Sequence, residues 1–402
     1  MSKKPIELAK DYTVAFTVPS SDYFIHDPGM AVLPDGSYLV FSPLWSRKKT
    51  DGEEAAPQVK NFQIENQRLR KAERVVISKS SDKGKTWSEI SSIPFAEATP
   101  IVMGNDIYLF TQHYQHEAVY FTVSHDGGYT WEEPVKVIDR PLWNCQNSMV
   151  IKDDKLYWCL DEGHKRISVI CGDLTKGIMN PDAWRYTETI TLPNIPDELV
   201  SGVASMGWNS TWPGGYALLE ANTVQVNGRL FALARVVMDE YATANLCAVF
   251  EVIDDKDGFY MKFRQYYPLP GGQCKFNIIR DEVGGMFWMA SNLPTNSQNL
   301  LDYYDMLKKT EFMGGPGNER RILALWYSID ALNWIPAGIV AKADTMLQSF
   351  MYPSMDIDGD DLVILSRTSM NSGSQHDADH STVHVVSNFR DLALSLDPKI
   401  QK

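Results

Sequence analysis

Ionisable and polar side chains recur at one position of a repeated pattern in this chain of 402 residues. They stand seven to nine residues ahead of six predicted turns and are His26, Glu97, Gln146, Glu220, Lys275 and Tyr352. A strand that serves only packing more often carries Val, Ile or Ala. Ionisable groups that converge on one place are typical of sites that tune pKa values for acid, base or nucleophile chemistry. The pattern predicts a single functional site, provided that the fold brings the six positions together.

The six turns belong to six copies of one unit, in which two β-forming runs flank a short turn. Their centres are Asp35, Asn105, Asp154, Gly228, Val283 and Gly359. Asp, Asn or Gly between two such runs indicates a β-hairpin. Because a ring of small sheets leaves only short, protected edges, we expect an all-β, six-bladed β-propeller with four-stranded antiparallel blades. A ring of seven blades is the alternative.

In such a ring the innermost strands lie near the axis, which is where the six polar positions should meet. We expect residues 1–402 to form a single propeller domain. The last β-forming run, HSTVHVVSNF, is followed by no further hairpin, so it should pair with a strand near the N-terminus and close the ring.

A shorter motif, Ser-x-Asp-x-Gly-x-Thr-Trp, occurs at residues 80–87 and again at 124–131. A degenerate third copy, SIDALNW, occupies residues 328–334 and lacks the glycine. In this motif the aspartate can accept backbone N–H groups, the glycine can adopt a positive φ, and the tryptophan can pack between sheets. We interpret the motif as a structural turn.

These repeats resemble the Asp boxes of the sialidase superfamily, and the resemblance runs through nearly the whole chain. LLEANTVQVNGRLFALAR resembles the strand pair in which a glutamate precedes a substrate-binding arginine, here Glu220 and Arg235. NERRILALWYSID resembles the strand that carries a second such arginine, here Arg320 or Arg321. FMYPSMDIDGDDLVIL resembles the segment with the nucleophilic tyrosine, here Tyr352. The resemblance implies a sialidase-like propeller.

The chain departs from the family's pattern at two places. His26 stands where the family's N-terminal Arg-Ile-Pro motif has its arginine, and the motif's proline corresponds to Pro28. The segment NQRLRKAERVV, ahead of the first Asp-box-like repeat, has no aspartate where the family places its catalytic acid. Unlike arginine, histidine exchanges a proton near neutral pH. We therefore expect His26 to be the general acid/base.

The resemblance implies a carbohydrate-active enzyme that cleaves a glycosidic bond at an acidic, uronate- or sialate-type sugar. His26, Tyr352 and Glu220 would be catalytic. Substrate contacts would come from Arg235, Arg320 or Arg321, Gln146, Lys275, His376 and Asp377. One alternative is a uronate lyase that acts by β-elimination, for example at a rhamnose-glucuronate linkage. Another is a glycan-binding propeller without catalytic activity.

The segment SQHDADHSTVH raises the question of a metal. In a strand, period two would put His376, His380 and His384 on one face. Strong zinc motifs lie on helices or in Cys-rich knuckles, so we expect no cofactor, with a divalent metal as the lesser alternative. His376 and Asp377 are expected in the pocket, close to the ring closure. His113 and His116 are expected at the surface.

Composition restricts the partners. The net charge is −13, and the 38 Lys and Arg are scattered, which argues against nucleic acid. The sequence has no run of 18 apolar residues, so we expect no membrane span.

The five cysteines form no CxxC pair and fit reduced thiols. The start, MSKKPIELAK, has no apolar signal core, so the sequence as written predicts a cytoplasmic protein. It would be secreted or periplasmic if a leader is missing. The expected partner is an acidic oligosaccharide.

Overall fold

The computed structural model describes residues 7–47, 71–112, 118–163, 166–191, 193–196, 199, 217–237, 245–295 and 319–394. His113 and His116 lie outside these residues. Three 3₁₀ turns lie at Leu174–Lys176, Pro181–Ala183 and Phe389–Leu392. The strands in chain order are β1 (Thr13–Thr17), β2 (Tyr23–Ile25), β3 (Gly29–Val32), β4 (Tyr38–Ser46), β5 (Lys71–Ser80), β6 (Ser88–Ile93), β7 (Glu97–Met103), β8 (Asp106–Gln112), β9 (Val119–Ser124), β10 (Val135–Ile138), β11 (Val150–Lys152), β12 (Lys155–Asp161), β13 (Arg166–Asp173), β14 (Trp184–Tyr186), β15 (Ile190–Thr191), β16 (Ala217–Val226), β17 (Arg229–Val237), β18 (Leu246–Asp255), β19 (Gly258–Pro268), β20 (Asn277–Asp281), β21 (Met286–Asn292), β22 (Ile322–Ser328), β23 (Ile335–Lys342), β24 (Ser349–Asp358), β25 (Asp361–Ser369) and β26 (His380–Val386).

These strands form six antiparallel sheets, which are the blades of a six-bladed β-propeller. The first blade has the order β3–β4–β5–β6, with β2 also paired to β4. The next four are β7–β8–β9–β10, β11–β12–β13–β14 with β15 beside β13, β16–β17–β18–β19, and β20–β21–β22–β23. The sixth is β24–β25–β26–β1. The predicted fold is confirmed, with six blades rather than seven.

The ring closes between its two ends, as the sequence predicts. Strand β1 is the outermost strand of the sixth blade and pairs with β26, with Thr13 opposite Val383 and Thr17 opposite His380. The residues ahead of β1 continue the closure, since Leu8 N–H donates to the Ile339 carbonyl of β23 at 2.8 Å. The N-terminal segment therefore joins the fifth and sixth blades.

Each predicted turn joins the first two strands of its blade. The type of turn explains the residues found there, because several positions are left-handed, with φ of 57° at Asp154, 76° at Gly228 and 63° at Gly359. Glycine, aspartate and asparagine tolerate this region better than other residues. The hairpin chemistry in the sequence was therefore sufficient to place the innermost strand of every blade.

The Ser-x-Asp-x-Gly-x-Thr-Trp repeats form the same turn twice, after β5 and after β9. In the first, Asp82 accepts hydrogen bonds from Thr86 N at 2.8 Å and Thr86 Oγ1 at 2.7 Å, while Trp87 Nε1 donates to Gly84 O at 3.1 Å. In the second, Asp126 accepts the equivalent bonds. The side chains are used to shape the turns, which is a structural role.

The apolar core lies between neighbouring blades. Phe41 and Ile77 of the first blade pack with Leu109 of the second, and Val169 of the third packs with Phe250 of the fourth. This follows from the alternation of side chains along each strand, which gives every blade two apolar faces. Among the described residues there is no helix long and apolar enough to cross a membrane.

Candidate active site

A tyrosine, a glutamate and an arginine from three strands form a buried chain of hydrogen bonds. The Tyr352 hydroxyl donates to Glu220 Oε1 at 2.8 Å, and Arg235 Nη1 donates to Glu220 Oε2 at 2.7 Å. Arg235 Nε donates to the Gln273 carbonyl at 2.7 Å, which fixes the guanidinium plane. Tyr352 and Glu220 come from the innermost strands of the sixth and fourth blades, so the chain spans the ring.

Both Tyr352 and Glu220 lie at bulges in their strands. Register shifts interrupt β16 between Leu219 and Asn222, and β24 between Met351 and Ser354. At these points Glu220 has φ of 53° and Tyr352 has φ of 49°, a region that residues with a side chain rarely adopt. Bulges redirect side chains, and strained backbone of this kind concentrates at functional sites. The two strands thus deviate from regular geometry at the two residues that meet.

The carboxyl group of Asp161 stabilises the strained backbone conformation at Glu220. The Glu220 N–H donates to both oxygens of Asp161, at 3.0 and 2.8 Å, and Asn147 Nδ2 donates to the Glu220 carbonyl at 2.8 Å. Asp161 is fully buried, and this burial raises its pKa well above the usual value. These bonds hold the bulge in place.

Two further buried arginines pack on the Tyr352 ring. The Cζ atoms of Arg320 and Arg367 lie 5.4 and 5.0 Å from the centre of that ring. Burial, with the charges of Glu220 and Asp27, raises the pKa of Tyr352 well above its usual value. Burial also opposes the charge of Glu220, but Arg235 outweighs it and the pKa of Glu220 is lowered. A neutral phenol therefore donates to an ionised carboxylate.

A second group of ionisable side chains, His26, Asp27 and Glu97, comes from the inner parts of the first and second blades. His26 and Asp27 lie in the gap between β2 and β3, and Glu97 is the first residue of β7. His26 Nδ1 is 2.9 Å from Glu97 Oε1 and 3.4 Å from Asp27 Oδ2. The imidazole stacks on Trp45, with ring centres 4.2 Å apart.

Burial controls the protonation of the two carboxyl groups. It raises the pKa of Asp27 to about 6, against the attraction of Arg367, and it raises the pKa of Glu97 well above its usual value. The two carboxyls also repel each other's charge, which favours the protonated form of one of them. This group can therefore hold or release a proton near neutral pH.

Arg367 connects the two groups. Its Nη1 lies 3.1 Å from Asp27 Oδ1, while its guanidinium packs on Tyr352. Its Nη2 donates to the His376 carbonyl at 2.6 Å. The group of His26, Asp27 and Glu97 and the pair of Tyr352 and Glu220 are thus parts of one charged site at the propeller axis.

His376 and Asp377, predicted near the pocket, lie beside this connection. His376 Nδ1 is 2.9 Å from Asp377 Oδ1 and 3.4 Å from Arg367 Nη2, and Arg47 Nη1 donates to Asp377 Oδ2 at 2.7 Å. Burial, and next the charge of Arg367, lowers the pKa of His376 to about 3. This shift favours the neutral form of His376 near physiological pH.

Three other predicted residues have different surroundings. The Gln146 amide bonds the backbone of Met30 on both sides, accepting from its N–H at 2.5 Å and donating to its carbonyl at 2.8 Å. Lys275 is buried and donates to the Pro353 carbonyl. Arg321 is directed to Glu319 and Thr295, so of the two adjacent arginines Arg320 is the one at Tyr352. These contacts favour structural roles for Gln146 and Arg321.

Sequence reasoning missed Asp27, Asp161 and Arg367. Asp27 directly follows His26, and the alternation of a strand would have turned it away from the pocket. The gap between β2 and β3 removes that alternation. Arg367 lies opposite Met351 on the partner strand β25, within the apolar run LVILSRTS. A charged residue in such a run was the available signal.

The described residues contain one cluster with the geometry of a metal site, and it is His26, Asp27 and Glu97, whose ligand atoms lie within 4.8 Å of one another. The three histidines of the segment SQHDADHSTVH have separate partners: Asp377 for His376, Thr17 Oγ1 for His380, and Thr382 Oγ1 for His384. Strand β26 begins only at His380, so the three do not share a strand face.

The six-bladed propeller is a fold that solved sialidases share. No protein-family model matches the sequence, and no curated protein matches it. Among solved structures, Trypanosoma rangeli sialidase in complex with sialic acid is 14% identical with a TM-score of 0.55, and the match covers 95% of this chain and 58% of that one. The chain therefore spans less than two thirds of that sialidase.

Two further structures extend the comparison. Penicillium chrysogenum α-L-arabinanase complexed with arabinobiose is 13% identical with a TM-score of 0.51, and the match covers 96% of this chain and 99% of that one. The NanB sialidase of Streptococcus pneumoniae is 10% identical with a TM-score of 0.54, covering 94% and 71%. At these identities the likeness shows the fold alone, which is one that glycoside hydrolases use.

Proposed function

We propose that this protein hydrolyses a glycosidic bond at an acidic sugar of the uronate or sialate type, with Tyr352 as nucleophile. The observation that carries the proposal is the Tyr352 hydroxyl, which donates to Glu220 at 2.8 Å between buried arginines. A nucleophile with a base in hydrogen-bond reach, and a third group that orients the base, is the arrangement of covalent catalysis. Arg235 is that third group.

In the first step Glu220 accepts the phenolic proton while the Tyr352 oxygen bonds to the anomeric carbon. The bond from that carbon to the leaving oxygen breaks, and protonated His26 gives its proton to this oxygen. In the second step a water gives a proton to His26, and its oxygen displaces the Tyr352 oxygen. Tyr352 then recovers its proton from Glu220. Two easier steps replace one difficult step.

The acidic substrate is inferred from the arginines. Of the described residues, the buried arginines are Arg235, Arg320 and Arg367. Arg235 bonds Glu220, and the other two pack on the Tyr352 ring. Guanidinium groups bind carboxylates in a bidentate manner. His26 lies beside the carboxyl groups of Asp27 and Glu97. Negative charge on these groups would repel a substrate carboxylate, so His26 is less suited than an arginine to bind one. We therefore assign His26 to proton transfer and Arg320 to the substrate carboxylate, while Arg367 holds Asp27.

A panel of acidic oligosaccharides, sialosides and glucuronides among them, tests the proposal through the release of free sugar. We expect the wild-type protein to release sugar from at least one of them. Tyr352→Phe should lower the rate by about 10²-fold or more, since it removes the attacking oxygen. The matched control is Tyr38→Phe, which removes a hydroxyl bonded to Asp358 at 2.6 Å outside the site, and which should keep the wild-type rate.

A uronate lyase is the second candidate, favoured by the presence of both an imidazole and a phenol in the site. An arginine would neutralise the uronate carboxylate, His26 or Tyr352 would remove the C5 proton, and the other would protonate the leaving oxygen as a C4–C5 double bond forms. The unsaturated product absorbs in the ultraviolet, whereas the products of hydrolysis do not. Absorbance that grows with released sugar would replace the hydrolase proposal by the lyase.

A glycan-binding propeller without turnover is separated by the same panel. It predicts saturable binding of an acidic oligosaccharide, measured by calorimetry, with no product by either readout. That result would overturn the enzymatic proposal and leave the arginines as a binding site.

A further inference from the structure

We propose that His26, Asp27 and Glu97 form a binding site for a divalent transition-metal ion, and that Zn²⁺ is the ion that fits it. The site does not rest on the proposed function, because an ion can bind these side chains whether or not a sugar is cleaved. It goes beyond that function, since an ion on His26 would inhibit the first step proposed above.

The spacing of the three side chains matches that of ligands around one ion. Glu97 Oε1 lies 2.9 Å from His26 Nδ1, and Asp27 Oδ2 lies 3.4 Å from the same nitrogen. Two ligand atoms that are each about 2.1 Å from an ion lie about 3.0 Å apart at a right angle and about 3.4 Å apart at the tetrahedral angle. The three ligand atoms all lie within 4.8 Å of one another. They can therefore contact one ion with little movement.

One oxygen of this group has no hydrogen-bond partner. The Glu97 side chain is 2% exposed, and no residue that the structure describes bonds its Oε2 atom. Buried carboxyl groups normally use their hydrogen-bonding atoms, and buried charges are paired or bind a metal ion. Oε2 belongs to the same carboxyl group as the oxygen beside His26, so it lies at the edge of the cluster. An ion held by both oxygens of Glu97 would account for the unpartnered atom.

Neighbouring side chains hold the ligands in place. Arg367 Nη1 lies 3.1 Å from Asp27 Oδ1, which leaves Oδ2 on the side of His26. Trp45 stacks on the His26 ring with an interplanar angle of 23° and so fixes the plane that contains Nδ1. Outer contacts of this kind orient metal ligands and strengthen binding. The His26 side chain is 21% exposed, so an ion and its water ligands can reach the cluster.

The types of ligand favour Zn²⁺ over Ca²⁺ and Mg²⁺. The two alkaline-earth ions prefer oxygen ligands, Ca²⁺ in large numbers and Mg²⁺ in a regular octahedron. Zn²⁺ binds imidazole nitrogen together with carboxylate oxygen and commonly keeps a water as a further ligand. Two ionised carboxylates would also balance the charge of a divalent ion.

Calorimetric titration of the full chain with ZnCl₂, after a chelator has removed bound metal, tests the site. We expect the wild type to bind zinc at this cluster with a single high affinity. Glu97→Gln replaces one ligand by an amide of the same shape and should weaken binding by about 10²-fold or more. Urea denaturation checks that the variant is folded. Absence of binding to the wild type, or equal affinity in folded Glu97→Gln, would overturn the proposal.

The control is Asp106→Asn at the exposed histidine His125. His125 Nδ1 lies 2.7 Å from Asp106 Oδ1, and its Nε2 lies 3.3 Å from Glu132 Oε1, so neither ring nitrogen has both carboxylates beside it. This variant removes a carboxylate from a histidine outside the site and should bind zinc as the wild type does. A loss as large as that in Glu97→Gln would place the ion at the surface and overturn the proposal.

X-ray absorption of the zinc-loaded wild type identifies the ligands without any variant. We expect one imidazole together with oxygen ligands at about 2.0–2.2 Å. A sulfur ligand would assign the ion to one of the cysteines and overturn the proposal.

If the protein cleaves an oligosaccharide, saturating zinc should lower the release of sugar by about 10²-fold, because Nδ1 cannot hold an ion and a proton at once. Unchanged release at full occupancy would overturn the placement of the ion at His26. If the metal-free protein cleaves no oligosaccharide, the proposed function fails, while calorimetry and X-ray absorption still decide the metal site.

Discussion

Arg367 and Asp27 form the most deeply buried ion pair of the site. Their side chains are 0% and 2% exposed, and Nη1 lies 3.1 Å from Oδ1. Burial lowers the pKa of Arg367, although Asp27 and Tyr352 oppose this effect. A buried pair of this kind adds little net stability compared with apolar residues, but each charge needs the other.

Arg367→Met should therefore destabilise the protein by about 3 kcal/mol, because it leaves the Asp27 carboxyl buried without its cation. The double variant Asp27→Asn/Arg367→Met removes both charges and should be clearly more stable than Arg367→Met alone. Urea denaturation of the wild type, both single variants and the double variant measures the coupling. Additive losses would mean that the two side chains do not stabilise each other.

The residues of the site differ in how well the sequence predicted them. The sequence predicted His26, Glu220 and Tyr352, because each stands seven to nine residues ahead of the centre of a hairpin turn. Arg320 and Arg321 could not be separated, since adjacent residues in extended chain point to opposite sides and the phase of this strand was unknown. Asp27 and Arg367 depend on a broken strand and on a cross-strand neighbour, and neither is visible in a linear pattern.

At the level of strands, deviations from regular geometry position the groups for which we propose catalytic roles. The bulges at Glu220 and Tyr352 and the gap that holds His26 all interrupt innermost strands. The hairpin turns predicted these strands. Glycine is the residue that would indicate a left-handed backbone, and these two positions are Glu220 and Tyr352 instead, so the bulges could not be predicted. The long-range bonds that hold the Glu220 bulge, such as those from its N–H to Asp161, form only in the folded ring.

Contacts between strands of neighbouring blades stabilise the frame of the site. Asp254, near the end of β18 in the fourth blade, accepts hydrogen bonds from three residues of the third blade. These are Tyr157 Oη at 2.6 Å, Lys155 Nζ at 3.2 Å and Arg185 Nη2 at 2.5 Å. Burial alone would raise the pKa of Asp254, but the bonds from Arg185 and its neighbours lower it to about 2.

Asp254→Asn should cost about 1 kcal/mol at pH 7, because part of this surface interaction is screened by solvent. A carboxylate with a lowered pKa contributes stability above its unfolded value of 3.8, and loses it as the pH falls towards 2. The difference between variant and wild type should therefore shrink from pH 7 to pH 3 in urea denaturation. Asp255→Asn, one residue along, is the control and should change stability less. A difference that is equal at both pH values would exclude the ionic contribution.

At the level of the whole molecule, the ring depends on its closure. Its two ends meet in the sixth blade, where β1 pairs with β26 and the residues ahead of β1 reach β23. The sequence predicted this pairing because the last β-forming run had no hairpin partner of its own. Long-range contacts of this kind make the closure a feature of the complete propeller rather than of one blade.

His384 lies at this closure. It is fully buried, with Nδ1 3.2 Å from the Ala9 carbonyl and Nε2 3.0 Å from Thr382 Oγ1. The rings of Tyr12 and Phe350 pack on it, with centres 5.1 and 5.3 Å away. Burial lowers the pKa of His384 to about 4. Protons therefore bind the unfolded chain more readily than the folded ring between pH 6.5 and pH 4.

We expect this histidine to weaken the ring by about 2 kcal/mol when the pH falls from 7 to 5. His384→Gln keeps hydrogen-bonding atoms but cannot titrate, so its stability should fall less over the same interval. Urea denaturation of both proteins at pH 7 and pH 5 measures the difference. His125→Gln is the control, and its pH dependence should have the opposite sign. Asp106 raises the pKa of His125, so the contribution of His125 to the stability of the fold decreases as the pH rises. Equal losses in the wild type and His384→Gln would show that the closure does not carry the acid sensitivity.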